Sequence, residues 1–488
     1  MRTSEILGPI ERFAIFSCAT VIVVAGGCGG MSAPRLPNES TAPIDHDRFE
    51  LLVRLVHISD AQIMDEQSPG RLTIFAVLSR SAWRPHEAYS VQLLDGMIRT
   101  INKMHVAQHP IDFVIHTGDA VDNVQRNELD WFISTFDGGT INPLTGPDDR
   151  DPSEIPQRLL DPHAPFDAQG LYRRGVHGTS ATILWYSVPG NHDRFASGTF
   201  PIVSNAEAIR VAPMPLDLRL GLYIPLQLDP TGSVAWAPIS PANPGPPSNA
   251  NLPTSVIPNP DRRFFTAREF VQAHLDSTSE PPGHGFDAST PDQTWYSVSP
   301  RPGLRLITLN SATPLLETPQ RIRTEGAISA AQLVFLRREL DAADDAGECV
   351  IVATHHPSGA IEPVYGSALT PRSFRRLLNQ HKSVALHLAG HWHYNDVIDR
   401  GGYVEIVTSS IIDLPQQGRV IEIWRKNREP ASPDSAPTDA TGSIELRYRL
   451  FSHLDEITPP PGDEPIALFD DPLMPLRRMA AQLAGVAD

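Results

Sequence analysis

Five short polar clusters in this chain have the residue types and spacing of a metal centre. They are Asp60-Ala61-Gln62, Gly118-Asp119-Ala120-Val121-Asp122, Gly190-Asn191-His192-Asp193, His355-His356-Pro357 and Gly390-His391-Trp392-His393. A two-metal hydrolase needs one carboxylate that bridges both ions, a further anionic ligand, several neutral N or O donors, and an open position for water and substrate, with the ions ~3.5–4 Å apart. Asp60 suits a first ion and Asp119 is placed to bridge. Asn191 offers an amide oxygen, and His355 and His391 offer imidazole nitrogens, to a second ion. His393 lies two residues beyond His391, so on an extended loop the pair can address different ions. Taken singly, each cluster also reads as ordinary loop chemistry, because Asp and Asn turn and cap chains routinely. All five together do not fit that plainer reading. His387 reads as a core histidine, Trp392 as a packing residue under the loop, and Ser409, Ser410 and Asp413 as structural.

The clusters share one placement. Leu51 to Ile58, Ile111 to His116, Thr182 to Val188, Cys349 to Ala353 and Val384 to Leu388 are short β-rich apolar runs, and each leads directly into a cluster. They read as buried strands. Helical patterns alternate with them. Val91, Leu94, Ile98 and Ile101 recur at helical spacing within 87–108. Ser329 followed by Gln332 is a capping-box signature ahead of the stripe Leu333, Leu336 and Leu340. Alternating strands and helices predict an α/β sandwich, with the site where strands end at their carboxyl edge. Thr294 to Val298 and Leu304 to Asn310 read as a strand pair. Tyr403 to Thr408, Arg419 to Trp424 and Ser443 to Phe451 read as closing strands.

In this order and placement the clusters resemble the calcineurin-like metallophosphoesterase superfamily, whose pattern is D-x-H, G-D-x-x-D, G-N-H-D/E, H-x-P and G-H-x-H. The resemblance covers about residues 50–425 and is complete in every piece but the first. More narrowly, His57, the run Glu128 to Phe132 and Asp137-Gly138-Gly139 resemble a subgroup of large secreted bacterial members. The resemblance implies a four-layer α/β/β/α sandwich of two mixed sheets flanked by helices, with long loop insertions. It implies metal-dependent hydrolysis of a small phosphate ester by a hydroxide held between two divalent ions. Asp60 and His393 would bind the first ion, Asp119 would bridge, and Asn191, His355 and His391 would bind the second. The H-x-P register selects His355 over His356. His192 would stand off the ions and serve the phosphoryl oxygens or the leaving group, oriented by Asp122.

The departure is Gln62, where most members carry histidine. As a ligand its amide oxygen is harder than imidazole, which favours Mn²⁺, with Fe, Zn or Mg as the alternatives. Gln62 standing off the metal and binding water is the other reading. The Asp-x-Gln form resembles that of the manganese-dependent ADP-ribose/CDP-alcohol diphosphatases. One alternative function is therefore a phosphodiesterase or pyrophosphatase acting on nucleotide or lipid head groups. An alternative of another class is a non-catalytic metal-binding surface lipoprotein, against which the His192–Asp122 pair counts.

Composition bounds the rest. The chain has 488 residues with 41% hydrophobic and 20% charged, which supports a packed core. Its 47 prolines, nearly twice the usual ~5%, predict long ordered loops. A net charge of −17 with no dense basic run excludes nucleic acid as an expected partner. The apolar stretch Phe13 to Val24 is too short to span a bilayer and fits the core of a secretory signal. It ends at Ala25-Gly26-Gly27-Cys28, which resembles a bacterial lipoprotein signal with Cys28 as the lipidated residue. The expected organisation is a signal segment over 1–28, a flexible tether over 29–47, one catalytic domain over 48–452 with insertions at about 137–180 and 194–293, and a peripheral tail over 453–488. The expected location is exported and lipid-anchored to a bacterial membrane, with a secreted or periplasmic soluble form as the alternative. The lone domain cysteine, Cys349, reads as a buried core thiol.

Overall fold

The computed structural model describes residues 33–40, 42–68, 84, 86–108, 110–146, 161–177, 181–201, 223–228, 234–238, 259–312, 324–362, 368–427, 443–459 and 468–486. The strands of its two main sheets are, in chain order, β1 (Phe49–Ile58), β2 (Phe113–His116), β3 (Leu184–Ser187), β4 (Tyr296–Arg301), β5 (Leu304–Thr308), β6 (Cys349–Ala353), β7 (Val384–Ala389), β8 (Asp396–Asp399), β9 (Val404–Val407), β10 (Gln417–Lys426) and β11 (Ile444–Ser452). One sheet has the order β11-β10-β1-β2-β3 and the other β4-β5-β6-β7-β9-β8. In each, a parallel group carries antiparallel strands at its margin. β1, β2 and β3 run parallel, as do β5, β6, β7 and β9, while β10, β4 and β8 pair antiparallel.

The pattern of β6 shows why these runs are apolar throughout. Cys349, Ile351 and Ala353 join the large cluster that also holds Val53, Leu55 and Val56 of β1, while Val350 and Val352 join a second cluster with Leu336, Leu340, Phe374 and Leu378. Successive side chains of a strand face opposite ways, so a strand covered on both faces needs apolar residues at every position. The second cluster is closed by α4 (Ala330–Ala346) and α5 (Pro371–Gln380). The first sheet is flanked by α1 (Ser90–Ala107), α2 (Arg126–Asp137), α3 (Ala267–Asp276) and α6 (Met474–Ala484). The result is the expected sandwich of two mixed sheets with helices outside.

Several local expectations are revised. The helix expected over 87–108 forms as α1. Ser329 caps α4 by accepting from Gln332 N at 3.3 Å, but Gln332 does not return to the cap. Its side chain instead accepts from Asn310 N at 2.8 Å and donates to Asn310 O at 2.9 Å, tying the helix to the end of β5. α2, expected only as part of a family-like stretch, is held at its start by Glu128, which accepts from the backbone N of Asp65 and Asn123. Within the second expected insertion, α3 is not a loop element: its Phe270, Val271 and Ala273 belong to the main core cluster.

The expected tether is corrected from residue 33 onward. Leu36 N donates to Val397 O at 2.8 Å on β8, and Ser40 N donates to Tyr448 O at 2.8 Å on β11. Ile44 packs with Phe49 and Trp424. β8 and β11 are edge strands of different sheets, and an edge strand presents unpaired backbone groups that a passing extended segment satisfies. The segment therefore closes the margins of both sheets. Cys28 and the rest of 1–32 lie outside the described residues.

Trp185 of β3 ties the edge of the first sheet to the chain that follows α3. Its ring stacks on Phe136 at 4.2 Å and on His284 at 3.8 Å between centroids, and its Nε1 donates to Ser279 Oγ at 2.8 Å. Trp185→Ala is expected to cost about 3–5 kcal/mol of stability. Thermal unfolding should show a clearly lowered midpoint with metal content retained. An unchanged midpoint would contradict this account of the edge.

Candidate metal centre

Each predicted ligand leaves the carboxyl end of a parallel strand. Asp60 follows β1, Asp119 follows β2, Asn191 follows β3, His355 follows β6, and His391 and His393 follow β7. The loops after β1 and β2 continue side by side: Asp60 N donates to Gly118 O at 3.0 Å and Gln62 N to Asp119 O at 2.9 Å. Asp60, Gln62, Asp119, His391 and His393 all adopt left-handed backbone, with φ between +41° and +69°. For residues other than glycine such conformations cost of order 1–3 kcal/mol each and persist only where surrounding structure enforces them. Two of the enforcing contacts cross between the sheets: His391 N donates to Asp60 Oδ2 at 3.0 Å and Ser410 Oγ to Asp60 O at 2.8 Å. A third, Gly390 N to His355 O at 2.9 Å, ties neighbouring strand ends of the second sheet. Two glycines are required by close approach. A Cβ at Gly190 would collide with the Asp119 carboxylate, and one at Gly390 with Ser59 and Asp60.

The donor atoms converge in two groups. Asp60, Asp119 and His393 each present one ligating atom within 4.8 Å of the others, and so do His355, His356 and His391. Asp119 belongs to both neighbourhoods, since its Oδ2 lies 3.2 Å from His355 Nε2. Asn191 Oδ1 is 2.9 Å from the same nitrogen, with its amide nitrogen turned away to donate to Gly198 O at 2.9 Å. His356 is close but engaged elsewhere: Nε2 donates to Thr324 O at 3.0 Å and Nδ1 accepts from Ser311 Oγ at 2.7 Å. His355 is thus the histidine of the pair that faces the carboxylates.

The donor set fits a cation. His355 donates from Nδ1 to Thr117 O at 2.8 Å, and His393 from Nδ1 to Asp413 Oδ2 at 2.6 Å. Each ring therefore turns Nε2 inward. His393 Nε2 stands 3.1 Å from Asp60 Oδ1, a buried oxygen that accepts no hydrogen bond. A nitrogen lone pair facing a carboxylate oxygen at this distance calls for a positive charge between them, either a proton or a metal ion. With protons alone, burial opposes charge on His393 but Asp60 and Asp413 outweigh it and push the ring up to about 10. His355 is likewise opposed by burial and pushed up to about 8 by Asp119 and Asp60. His391, half-buried, is driven down to about 3 by desolvation and by the neighbouring His355.

His192 stands apart from the donors. Its backbone N donates to Asp119 Oδ1 at 2.8 Å, and its ring Nδ1 lies 3.0 Å from Asp122 O and 3.3 Å from Asp122 Oδ1. Burial opposes its charge, but Asp119 and Asp122 push it up to about 9. Asp193 completes the loop by accepting from Gly190 N at 2.7 Å and Val121 N at 3.1 Å. His387 is a core residue, its Nε2 2.8 Å from Thr354 Oγ1. Trp392 stacks on the exposed Tyr394 at 5.5 Å, so it is not wholly under the loop.

Gln62 sits among the donors with its amide reversed relative to a ligand. Its Oε1 accepts from Arg84 Nη2 at 2.5 Å, while its Nε2 lies 3.4 Å from both Asp119 Oδ2 and His393 Nε2. Asp413, expected to be structural, anchors the His393 ring and is itself gripped by Arg84 from Nε at 2.7 Å and Nη2 at 2.9 Å. Sequence reasoning missed Arg84, which stands in the run Ser79-Arg80-Ser81-Ala82-Trp83-Arg84-Pro85-His86-Glu87, where neither composition nor spacing sets it apart.

No family model and no curated protein matches the chain. Among solved structures, a dimetal phosphatase from Danio rerio aligns at 15% identity and TM-score 0.41, covering 77% of this chain and 96% of that one. A putative 5'-nucleotidase from Staphylococcus aureus aligns at 12% identity and TM-score 0.33, over 89% of this chain and 58% of that one. PhoD aligns at 10% identity and TM-score 0.29, over 89% and 76%.

Metal binding to this centre should release protons, because His355 and His393 must be neutral to ligate. His355 is raised to about 8 and His393 to about 10, so binding should tighten steeply as pH rises to about 8 and more gently from there towards about 10. Calorimetric titration with Mn²⁺ in buffers of different ionisation enthalpy checks this. Affinity that is flat in pH, with no proton release, would contradict it.

Proposed function

We propose that this chain is a metal-dependent hydrolase of small phosphate esters. Two divalent ions would be held by Asp60, Asp119, Asn191, His355, His391 and His393. When bound, such ions supply an activated water and neutralise charge on phosphoryl oxygens. The observation that carries the reading is His192. Its backbone is tied to Asp119 and its Nδ1 side to Asp122, which leaves Nε2 to meet a substrate oxygen beside the donor cluster. A centre that only stored metal would gain nothing from a proton carrier so placed. Mn²⁺ is the first ion to test. Export and a lipid anchor at Cys28 belong to the same proposal. Among the described residues no helix is long and apolar enough to cross a membrane.

The test is to strip the protein with chelator, refill it with Mn²⁺, Mg²⁺, Zn²⁺ or Fe²⁺, and assay p-nitrophenyl phosphate and bis-p-nitrophenyl phosphate. Hydrolysis that disappears with chelator and returns with metal is expected, and the ratio of the two rates separates a monoesterase from a diesterase. Turnover of neither ester with any of the ions would sink the reading. His192→Ala should keep its metal and lose turnover by ~10²–10⁴-fold. Metal lost in step with activity would show that His192 has a different role.

A further inference from the structure

The guanidinium of Arg84 touches three parts of the centre at once. It donates to Gln62 Oε1, grips both oxygens of Asp413, and brings Nη1 to 3.8 Å from Asp122 Oδ1. The side chain is 3% exposed. The orientation of Gln62 follows from this contact. Turning the amide over would place its NH₂ against Arg84 Nη2 at 2.5 Å, and both groups are donors without a lone pair to share. Arg84 therefore keeps the amide oxygen outward and the NH₂ facing Asp119 and His393.

We propose that Arg84 is the positioning residue of this centre: it occupies the Gln62 oxygen, so that Gln62 contributes no lone pair to an ion beside Asp60, and it clamps Asp413, which holds His393 in ligating orientation. The inference rests on the reading that Asp60, Asp119 and His393 hold an ion. That ion would then have three protein side chains rather than four, and more of its coordination would be open to water and to phosphoryl oxygen. The Gln62 NH₂ would act as a hydrogen-bond donor to such an oxygen. Arg84 also stands behind Asp122, so one cation backs both the His393 side and the His192 side of the site.

The test reads metal binding directly, so it stands whether or not phosphate esters are hydrolysed. Metal-stripped full-length protein is titrated with Mn²⁺ by calorimetry, and bound metal is counted by elemental analysis. Gln62→Leu should bind as many ions as the parent, each within ~3-fold in affinity, whereas a lost ligand or a lost supporting contact costs ~10–100-fold. Arg84→Met should weaken one ion by that ~10–100-fold, and added guanidinium chloride should restore much of the loss. Loss of an ion in Gln62→Leu would overturn the proposal. So would parent-like metal binding in Arg84→Met, or a loss in a folded Arg84→Met protein that guanidinium does not touch. Should Arg84→Met fail to fold, the Gln62→Leu titration decides alone.

Discussion

Two carboxylates, Asp60 and Asp119, are held out of water with ligating oxygens no more than 4.8 Å apart. At an effective dielectric near 20, two such charges repel by about 3–4 kcal/mol, before the cost of desolvating each is counted. That repulsion must be offset by positive charge placed between or beside them. Most of the polar architecture around the strand ends follows from this requirement. The inward Nε2 atoms of His355 and His393 answer it, and the outward-facing partners Thr117 and Asp413 fix how those rings sit.

The sandwich supplies the position, and the loops supply the angle. Parallel strands in both sheets bring their carboxyl ends to one margin, so residues far apart in the chain arrive together. Leaving a strand and turning a side chain straight into the centre requires left-handed backbone at Asp60, Asp119, His391 and His393. That strain is held by hydrogen bonds that bridge the sheets, such as His391 N to Asp60 Oδ2. The centre thus depends on the two sheets being fixed to each other. The N-terminal segment contributes by pairing with an edge strand of each.

Much of the centre was legible because its information is local. Residue type and a preceding apolar run, with a glycine just ahead of Asp119, Asn191 and His391 and a proline two residues after His355, are enough to mark a candidate at a strand end. In the double histidine the H-x-P register points to His355, and the structure pairs the His356 ring with Ser311 and Thr324. Other parts had no local signature. Asp413 is twenty residues from His393 and reads as an ordinary loop acid, yet it anchors that ring. Arg84 is 329 residues from Asp413, with no motif connecting them. The segment from residue 33 looked like a tether because its proline and polar content is that of a linker, and its partners are edge strands that the chain reaches only once folded.

The sequence by itself determined the sandwich, the order of the clusters and which residue types stand at the strand ends. These follow from hydrophobic period and from the geometry of parallel sheets, both readable in short windows. Only the tertiary structure decided which atom each of those residues presents. Gln62 occupies the position expected of a ligand, but a guanidinium arriving from elsewhere takes its oxygen and turns its protons inward. An amide is a donor at one end and an acceptor at the other, and its direction is set by whatever partner the fold brings against it.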